Sequence, residues 1–150
     1  INTDHIRSKQ KISLDPDLTG NVRILMVEDN RINAEIGREM LEKLGCEVIV
    51  AKSGQAAYEI LQTDRNFDLI FMDCQMPVMD GFETTGKIME FENINNQKHI
   101  PIIALTANSL QGDKEKCIAA GMDDYLSKPV SQKDFAKIVS KWLKYKKIST

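Results

Sequence analysis

Short apolar runs recur along the chain from residue 22 onward, and each is followed by a stretch with helical spacing. This alternation is typical of repeated βα units, whose parallel strands form a single sheet. The runs are VRILMV from residue 22, EVIVA from residue 47, DLIFM from residue 68, PIIAL from residue 101 and DYLS from residue 124. The pattern therefore predicts an α/β domain of five βα units, arranged as a three-layer sandwich.

Three of these runs, residues 24–27, 69–72 and 102–105, contain no polar residue. Side chains along a strand point alternately to the two faces of the sheet, so an uninterrupted apolar strand is covered on both faces. We therefore expect a doubly wound sheet with helices on each side.

Helical spacing is clearest in the first and last helical stretches. In the first, the residues expected to share the buried face are Asn33, Ile36, Gly37, Met40, Leu41 and Leu44, with Gly45 as a C-terminal stop. In the last, they are Phe135, Ile138, Val139, Trp142 and Leu143, with lysines on the opposite face. The last stretch therefore predicts an amphipathic helix that closes the domain.

Residues 1–20 have no sustained periodicity and end in Asp-Pro and Thr-Gly pairs, which favour turns. We interpret residues 1–20 as a linker or tail and residues 21–147 as the domain. The first residue is Ile1 rather than methionine, which indicates an excised or processed segment. Because the closing helix ends a few residues before Thr150, we expect no output domain after it.

Composition narrows the classes of protein to consider. With 150 residues, 42% hydrophobic and 28% charged, and a net charge of -2, the chain resembles an ordinary globular domain without a strong electrostatic field. Three widely spaced cysteines without a Cys-x-x-Cys pair favour reduced thiols over disulfides or zinc. We expect a cytoplasmic monomer that binds neither nucleic acid nor a membrane surface directly.

Polar side chains follow four of the predicted strands. Glu28 and Asp29 follow the first, Asp73 the third, Thr106 and Asn108 the fourth, and Lys128 the fifth. Each has a local explanation, since Asp29 or Thr106 could cap a helix and Asp73 could shape a turn. Ligands bind parallel α/β sheets at the carboxyl ends of the strands, however, and the combination of these groups at that edge favours a site.

The residue types indicate phosphoryl chemistry. Crowded carboxylates repel one another unless a cation joins them, and oxygen ligands without His or Cys favour Mg²⁺. Lys128 and the Thr106 hydroxyl could hold the remaining phosphoryl oxygens. Asp73 lies between them in this arrangement and is the candidate nucleophile, which would form an aspartyl phosphate.

Four motifs, VRILMVEDN, LIFMDCQMPVMDG, PIIALTA and GMDDYLSKP, resemble in order and spacing those of the response-regulator receiver domain of two-component signalling. The resemblance covers about residues 21–146. It implies a flavodoxin-like sheet with strand order 2-1-3-4-5. It also implies a domain that takes a phosphoryl group from a phosphohistidine, catalysing its own phosphorylation and dephosphorylation through Asp73, Thr106 and Lys128.

The resemblance also implies roles for individual residues. The implied Mg²⁺ ligands are Glu28, Asp29, Asp73 and the backbone carbonyl of Gln75, where Glu28 stands in place of the aspartate that many members carry. Thr106 and Tyr125 are implied as a pair that switches conformation on phosphorylation. The bond before Pro129 is implied to be cis.

The Glu-Asp-Asn-x-x-Asn stretch at residues 28–33, and the polar tail before the domain, resemble the C-terminal receiver of a hybrid histidine kinase. The implied partners are a histidine kinase, a histidine phosphotransfer protein or both, in a phosphorelay. Ile32, roughly 110° from the centre of the expected buried stripe at about 100° per residue, is predicted to be exposed and to dock the partner.

Two alternatives remain open at this point. A stand-alone receiver would signal by protein-protein contact, and a phosphatase with an aspartyl-phosphate intermediate would turn over external phosphate esters repeatedly. A P-loop NTPase is excluded because the Gly-x-x-x-x-Gly-Lys-Ser/Thr motif is absent. His5 and His99 are interpreted as ordinary surface residues, and Cys74 as a buried thiol on the face of the strand opposite to Asp73.

Overall fold

The computed structural model describes residues 12–15, 21–107 and 111–149, and strands alternate with helices along the chain. The strands are β1 (Val22–Val27), β2 (Cys46–Ala51), β3 (Leu69–Asp73), β4 (Ile102–Thr106) and β5 (Asp124–Ser127). The helices are α1 (Arg31–Lys43), α2 (Gly54–Thr63), α3 (Gly81–Ile94), α4 (Gln111–Ala119) and α5 (Gln132–Ser149). The five predicted βα units are confirmed.

All five strands are parallel and form one sheet in the order β2-β1-β3-β4-β5, which confirms the order that the resemblance implied. The order reverses at β1, which lies between β2 and β3. Val27, the last residue of β1, pairs with Met72, and Asp73 pairs with Leu105 of β4. The carboxyl ends of β1, β3 and β4 therefore meet at the crevice where such sheets bind ligands.

The sheet separates two apolar layers, so the predicted three-layer sandwich is confirmed. One face of the sheet packs against α1 and α5, through residues such as Met26, Phe71 and Phe135. The other face packs against α2, α3 and α4, through residues such as Met72 and Ile88. Alternate residues of each central strand enter opposite layers, which explains why residues 24–27, 69–72 and 102–105 include no polar side chain.

The predicted buried face of α1 was partly wrong. The buried residues are Ala34, Gly37 and Leu41, whereas Asn33 and Ile36 are exposed. The helix is rotated about its axis relative to the prediction, because Gly37 packs closely against the sheet. A Cβ on Gly37 would lie 2.7 Å from Met26 Cε. Gly45 follows the helix with φ of 94°, a conformation that glycine adopts without strain, so the predicted stop is confirmed.

Helix α5 buries the face that the sequence predicted. Phe135, Ile138, Val139 and Leu143 are buried, and the half-buried Trp142 donates from Nε1 to Asp124 Oδ2 at 2.9 Å. This hydrogen bond joins the helix to the start of β5. None of the helices in the described part of the chain combines the length and apolar character needed to cross a membrane.

Residues 12–15 lie against the domain. The backbone N–H of Asp15 donates to Ser140 Oγ at 3.1 Å, and Leu14 packs against the apolar layer shared by α1 and α5. Residues 1–11 and 16–20, the rest of the interpreted linker, lie outside the described residues. The division at residue 20 stays a prediction, although Asp15 contacts the last helix.

His99 lies at the surface, as the sequence predicted, but its ring is held between two carboxylates. Its Nδ1 lies 2.7 Å from Glu92 Oε1, and its Nε2 lies 2.8 Å from Asp123 Oδ2. The buried Glu92 carboxylate also accepts from Arg65 Nη2 at 2.6 Å and from the Ile100 backbone N–H at 3.1 Å. His99 therefore links α3 to the loops that precede β4 and β5.

Candidate functional site

Three carboxylates converge at the carboxyl ends of β1 and β3. Glu28 and Asp29 directly follow β1, and Asp73 is the last residue of β3. One oxygen from each of these three side chains lies within 4.8 Å of the other two. Glu28 and Asp73 are both 3% exposed, whereas Asp29 is exposed. The structure therefore brings together the acids that the sequence selected.

Helix capping does not account for Asp29. The caps of α1, α2 and α3 are Asn30, Ser53 and Asp80, whose side chains accept backbone N–H groups at 2.9–3.0 Å. Because Asn30 caps α1, the Asp29 carboxylate next to it is available to the site. Asp73 does shape its loop, since its Oδ1 accepts the Gln75 backbone N–H at 3.2 Å.

The backbone at Asp73 is fixed by close packing of α3. The Gly81 N–H donates to the Cys74 carbonyl oxygen at 3.1 Å. A Cβ on Gly81 would meet the Asp73 carbonyl oxygen and lie 2.9 Å from Cys74 Cα, so a larger residue would push this segment away. The Asp-Gly pair in the sequence thus provides the cap of α3 and the room for its approach.

Lys128 bridges two of the acids. Its Nζ donates to Asp73 Oδ1 at 2.9 Å and to Glu28 Oε1 at 3.2 Å. Burial alone would lower the pKa of Lys128, but the hydrogen bond to Asp73 and the two negative charges outweigh burial and raise it. The lysine is therefore held in its charged form. The bond between Lys128 and Pro129 is cis.

The environment of Glu28 disfavours the ionised form of its carboxyl group. Burial, followed by a hydrogen bond with Asp73, raises the pKa of Glu28 to about 7, although the Asn30 N–H and Lys128 act in the opposite direction. A cation bound at this group of acids would favour the ionised form of Glu28 and so oppose the effect of burial.

The donor set fits a hard divalent cation. Among the described residues, Glu28, Asp29 and Asp73 are the one group of three or more His, Cys, Asp or Glu side chains arranged to hold a metal ion. All its ligand atoms are oxygens, which Mg²⁺ prefers, and the exposed Asp29 leaves one side open to water and phosphate oxygens. The role of the Gln75 carbonyl stays a prediction.

Thr106 and Tyr125 lie on the neighbouring strands. Thr106 is the buried last residue of β4, one residue beyond the partner of Asp73. Tyr125 is half-buried in β5, and the Nζ of Lys114 in α4 lies 5.4 Å from the centre of its ring. Thr106 thus borders the site, and Tyr125 lies on the next strand, beside α4. Asn108 lies outside the described residues.

Ile32 lies on the exposed side of α1, one turn from the acids. It is 71% exposed, and Ile36 on the next turn is 48% exposed. Beside Ile36 a groove of about 320 Å³ runs between α1 and the segment after β5, lined by Met40, Val130 and Phe135 and also by Glu28 and Lys128. The groove depends on how α1 is rotated, so the sequence carried no signal for it.

Cys74 points away from the acids, as predicted. It is buried in the layer with Met72, and its Sγ lies 4.0 Å from Cys117 Sγ. Burial raises the pKa of the Cys74 thiol above its usual range. While Cys74 stays buried, its thiol therefore does not compete with Asp73 as a nucleophile.

Comparisons with known proteins agree with this geometry. The family model of the response regulator receiver domain matches residues 24–140. The sensor protein GacS of Pseudomonas syringae is 42% identical over 120 residues, which cover 80% of this chain and 13% of GacS. The chain therefore spans a small part of that relative.

Two solved structures are similar over most of this chain. One is the receiver domain of a Pseudomonas aeruginosa sensor histidine kinase with magnesium coordinated in its active-site cleft, which has a TM-score of 0.71, 40% identity and coverage of 83% of this chain and 99% of that one. The other is the Saccharomyces cerevisiae co-crystal structure of the histidine phosphotransfer protein Ypd1 with the Ssk1 receiver domain. Its matching chain has a TM-score of 0.80 and 36% identity, and the match covers 87% of this chain and 94% of that one.

Proposed function

This chain belongs to the response regulator receiver domain family, and we propose that its Asp73 carboxylate is the group that accepts the phosphoryl group. The observation that carries the assignment is the position of Asp73. It is the one residue of the acid group that lies at the end of a central strand and is hydrogen-bonded to Lys128. Glu28 and Asp29 are then the acids that hold the cation.

The reaction is an in-line displacement at phosphorus. An Asp73 oxygen forms the new P–O bond while the P–N bond of a phosphohistidine breaks and its electron pair returns to the imidazole nitrogen. In this proposal the Lys128 ammonium, which contacts Asp73 in the resting site, holds one phosphoryl oxygen, and the hydroxyl of Thr106, at the end of the neighbouring strand, holds another. Glu28, Asp29 and Asp73 would hold Mg²⁺, which would supply positive charge that stabilises the transferred phosphoryl group.

A small phosphodonor such as acetyl phosphate tests this function without a partner protein. With Mg²⁺, intact mass should show at most one phosphoryl group per chain, and chelation of Mg²⁺ should slow uptake at least about tenfold. Asp29→Asn should raise the Mg²⁺ concentration needed for half-maximal uptake at least about tenfold, because a ligand is lost. Glu39→Gln, an exposed acid of α1 outside the cluster, is the matched control and should change neither quantity.

Uptake that is independent of Mg²⁺ would contradict the proposed metal role. Continuous hydrolysis of a phosphomonoester, well beyond one turnover per chain, would instead support the alternative of a phosphatase with an aspartyl-phosphate intermediate. A receiver should accept one group and release it slowly.

We further propose that the chain is the receiver of a hybrid histidine kinase and exchanges its phosphoryl group with a histidine phosphotransfer protein. Support comes from the similarity to sensor kinases such as GacS and to the Ypd1–Ssk1 co-crystal structure. The exposed Ile32 and the apolar groove beside Ile36 provide a surface next to the acids on which a partner could bring its histidine to Asp73.

Ile32→Asp tests this docking surface. The substitution should slow transfer between Asp73 and a histidine phosphotransfer protein about tenfold or more, because a charge would be buried against an apolar contact. Uptake from acetyl phosphate should not change. Ile94→Asp is the control, since Ile94 is 73% exposed but ends α3, about 20 Å along the helix from the site at 1.5 Å per residue.

The comparison of the two donors separates docking from folding. Equal losses with acetyl phosphate and with the phosphotransfer protein would indicate a damaged fold. Unchanged transfer in Ile32→Asp, or an equal loss in Ile94→Asp, would remove Ile32 from the interface.

The other expectations stay predictions. We propose a domain over residues 21–147, and a cytoplasmic monomer that contacts no nucleic acid. Size-exclusion chromatography with light scattering, before and after phosphorylation, would test the monomeric state directly.

A further inference from the structure

Two of the three cysteines meet in the layer between the sheet and α4. Cys74 follows β3 and is 4% exposed, and Cys117 of α4 is 2% exposed. Their sulfur atoms are 4.0 Å apart, although the residues are separated by 43 positions in the sequence. Neither thiol has a part in the proposed phosphoryl chemistry.

Cys117 differs from the other described side chains of α4 in its burial. Among residues 112–119, the part of this helix whose side chains are described, Cys117 is the one buried residue, and its neighbours Lys116 and Ile118 are exposed. The helix therefore depends on this thiol for its deepest contact with the domain. Helices with few buried apolar contacts open locally at a lower free-energy cost than the core does.

The geometry points to a reversible disulfide between Cys74 and Cys117, formed by a peroxide oxidant, that tethers α4 to the end of β3 beside Asp73. The sulfur atoms are already neighbours, so bond formation needs a movement of about 2 Å, from contact to the S–S bond length near 2.05 Å. Local opening of α4 admits the oxidant to the otherwise closed pair. This inference does not depend on the phosphoryl-acceptor role.

The chemistry balances with hydrogen peroxide. One thiol attacks a peroxide oxygen, the O–O bond breaks, and a sulfenic acid and one water form. The second thiol attacks the sulfenic sulfur, the S–S bond forms, the S–O bond breaks, and a second water leaves. The two thiols lose two protons and two electrons in total, and the peroxide takes up both and is reduced to two waters.

The tether would act on the helix next to the candidate switch residues. Lys114 of α4 lies over the ring of Tyr125, and α4 is the helix that follows Thr106 along the chain. A covalent link at Cys117 replaces a weak sulfur contact with a bond that local opening cannot break. The oxidised protein should therefore hold α4 in one position.

The purified chain can be treated with hydrogen peroxide, alkylated to block remaining thiols, and digested without reductant. We expect a peptide that joins Cys74 to Cys117 and an intact mass lower by two hydrogen atoms, both reversed by dithiothreitol. The third thiol provides the matched control: Cys46 is also buried, but it packs in the opposite layer, so Cys46→Ala should leave the link unchanged. Cys74→Ala and Cys117→Ala should abolish it.

Two physical readouts complete the test. Oxidation should slow amide hydrogen exchange in residues 111–119 at least about threefold and raise the melting temperature by about 5 °C or more, since the link closes a long loop. Both changes should be absent in treated Cys74→Ala. Links that involve Cys46, irreversible sulfinic acid as the main product, or no link at peroxide concentrations that oxidise free cysteine would overturn the inference.

Discussion

His99 stabilises the edge of the sheet that lies opposite Asp73. Hydrogen bonds to Asp123 and Glu92, opposed by burial, raise the pKa of His99 from 6.5 to about 10. The hydrogen bond between His99 and Glu92, together with the hydrogen bond from Arg65, outweighs burial and lowers the pKa of Glu92. The imidazolium therefore carries its charge at neutral pH and binds two carboxylates at once.

His99→Gln should lower the free energy of unfolding by about 1–2 kcal/mol at pH 6, a modest value because the His99 side chain is 38% exposed and solvent screens part of the interaction. A pKa raised on folding contributes its full stability below the unfolded-state pKa and loses it as the pH rises through the folded-state pKa. The difference between wild type and His99→Gln should therefore shrink between pH 6.5 and about 10.

Urea unfolding of both proteins at several pH values checks this window. A stability difference that stays constant from pH 6 to about pH 10, or that grows with pH, would contradict the charged bridge. Asn95 is exposed and caps the C-terminus of α3, the helix that carries Glu92. Asn95→Gln is therefore the control for effects on α3 itself.

Helices and strands differ in how strongly their own sequences determine them. The three central strands were recognisable because burial on both faces leaves no polar side chain in residues 24–27, 69–72 and 102–105. Residues 69–72 and 102–105 match β3 and β4 within one residue, and residues 24–27 lie within β1, which begins two residues earlier. The rotation of α1 was not recognisable, because Ile36 and Met40 fit an apolar stripe as well as Ala34 does. The close contact between Gly37 and Met26 determines the rotation of α1, and that contact forms only in the assembled fold.

We propose that β4, α4 and β5 change together when Asp73 is phosphorylated. The Thr106 hydroxyl moves toward the phosphoryl group, and Tyr125 turns into the space that Thr106 leaves. Thr106→Ala should abolish the reorientation of Tyr125 while phosphoryl uptake remains within about tenfold of wild type, since only one of several phosphoryl contacts is lost. Thr106→Ser keeps the hydroxyl and should switch normally.

Structures with and without beryllofluoride, a phosphoryl mimic, would show the orientation of Tyr125 directly. The same orientation in both states of the wild type, or reorientation that persists in Thr106→Ala, would rule out this switch.

For the whole molecule, the sequence pattern predicted the five βα units and the acid group because both follow from the order of strands along the chain, whereas the order of strands in the sheet came from the resemblance to receiver domains. Parallel strands bring Glu28, Asp29 and Asp73 to one edge of the sheet, however the side chains between them pack. The contacts of His99, the pair of Cys74 and Cys117 and the groove beside Ile36 could not be predicted. Each joins segments distant in sequence through side-chain positions that only packing determines.

The assignment of Asp73 as the phosphoryl acceptor is tested most directly by locating the modified residue. After acetyl phosphate and Mg²⁺, borohydride reduces an aspartyl phosphate to homoserine, which remains in place during peptide mass spectrometry. We expect homoserine at position 73, none at positions 28 and 29, and none anywhere in Asp73→Asn. Stoichiometric homoserine at another carboxylate, or persistent phosphorylation of Asp73→Asn, would contradict the assignment.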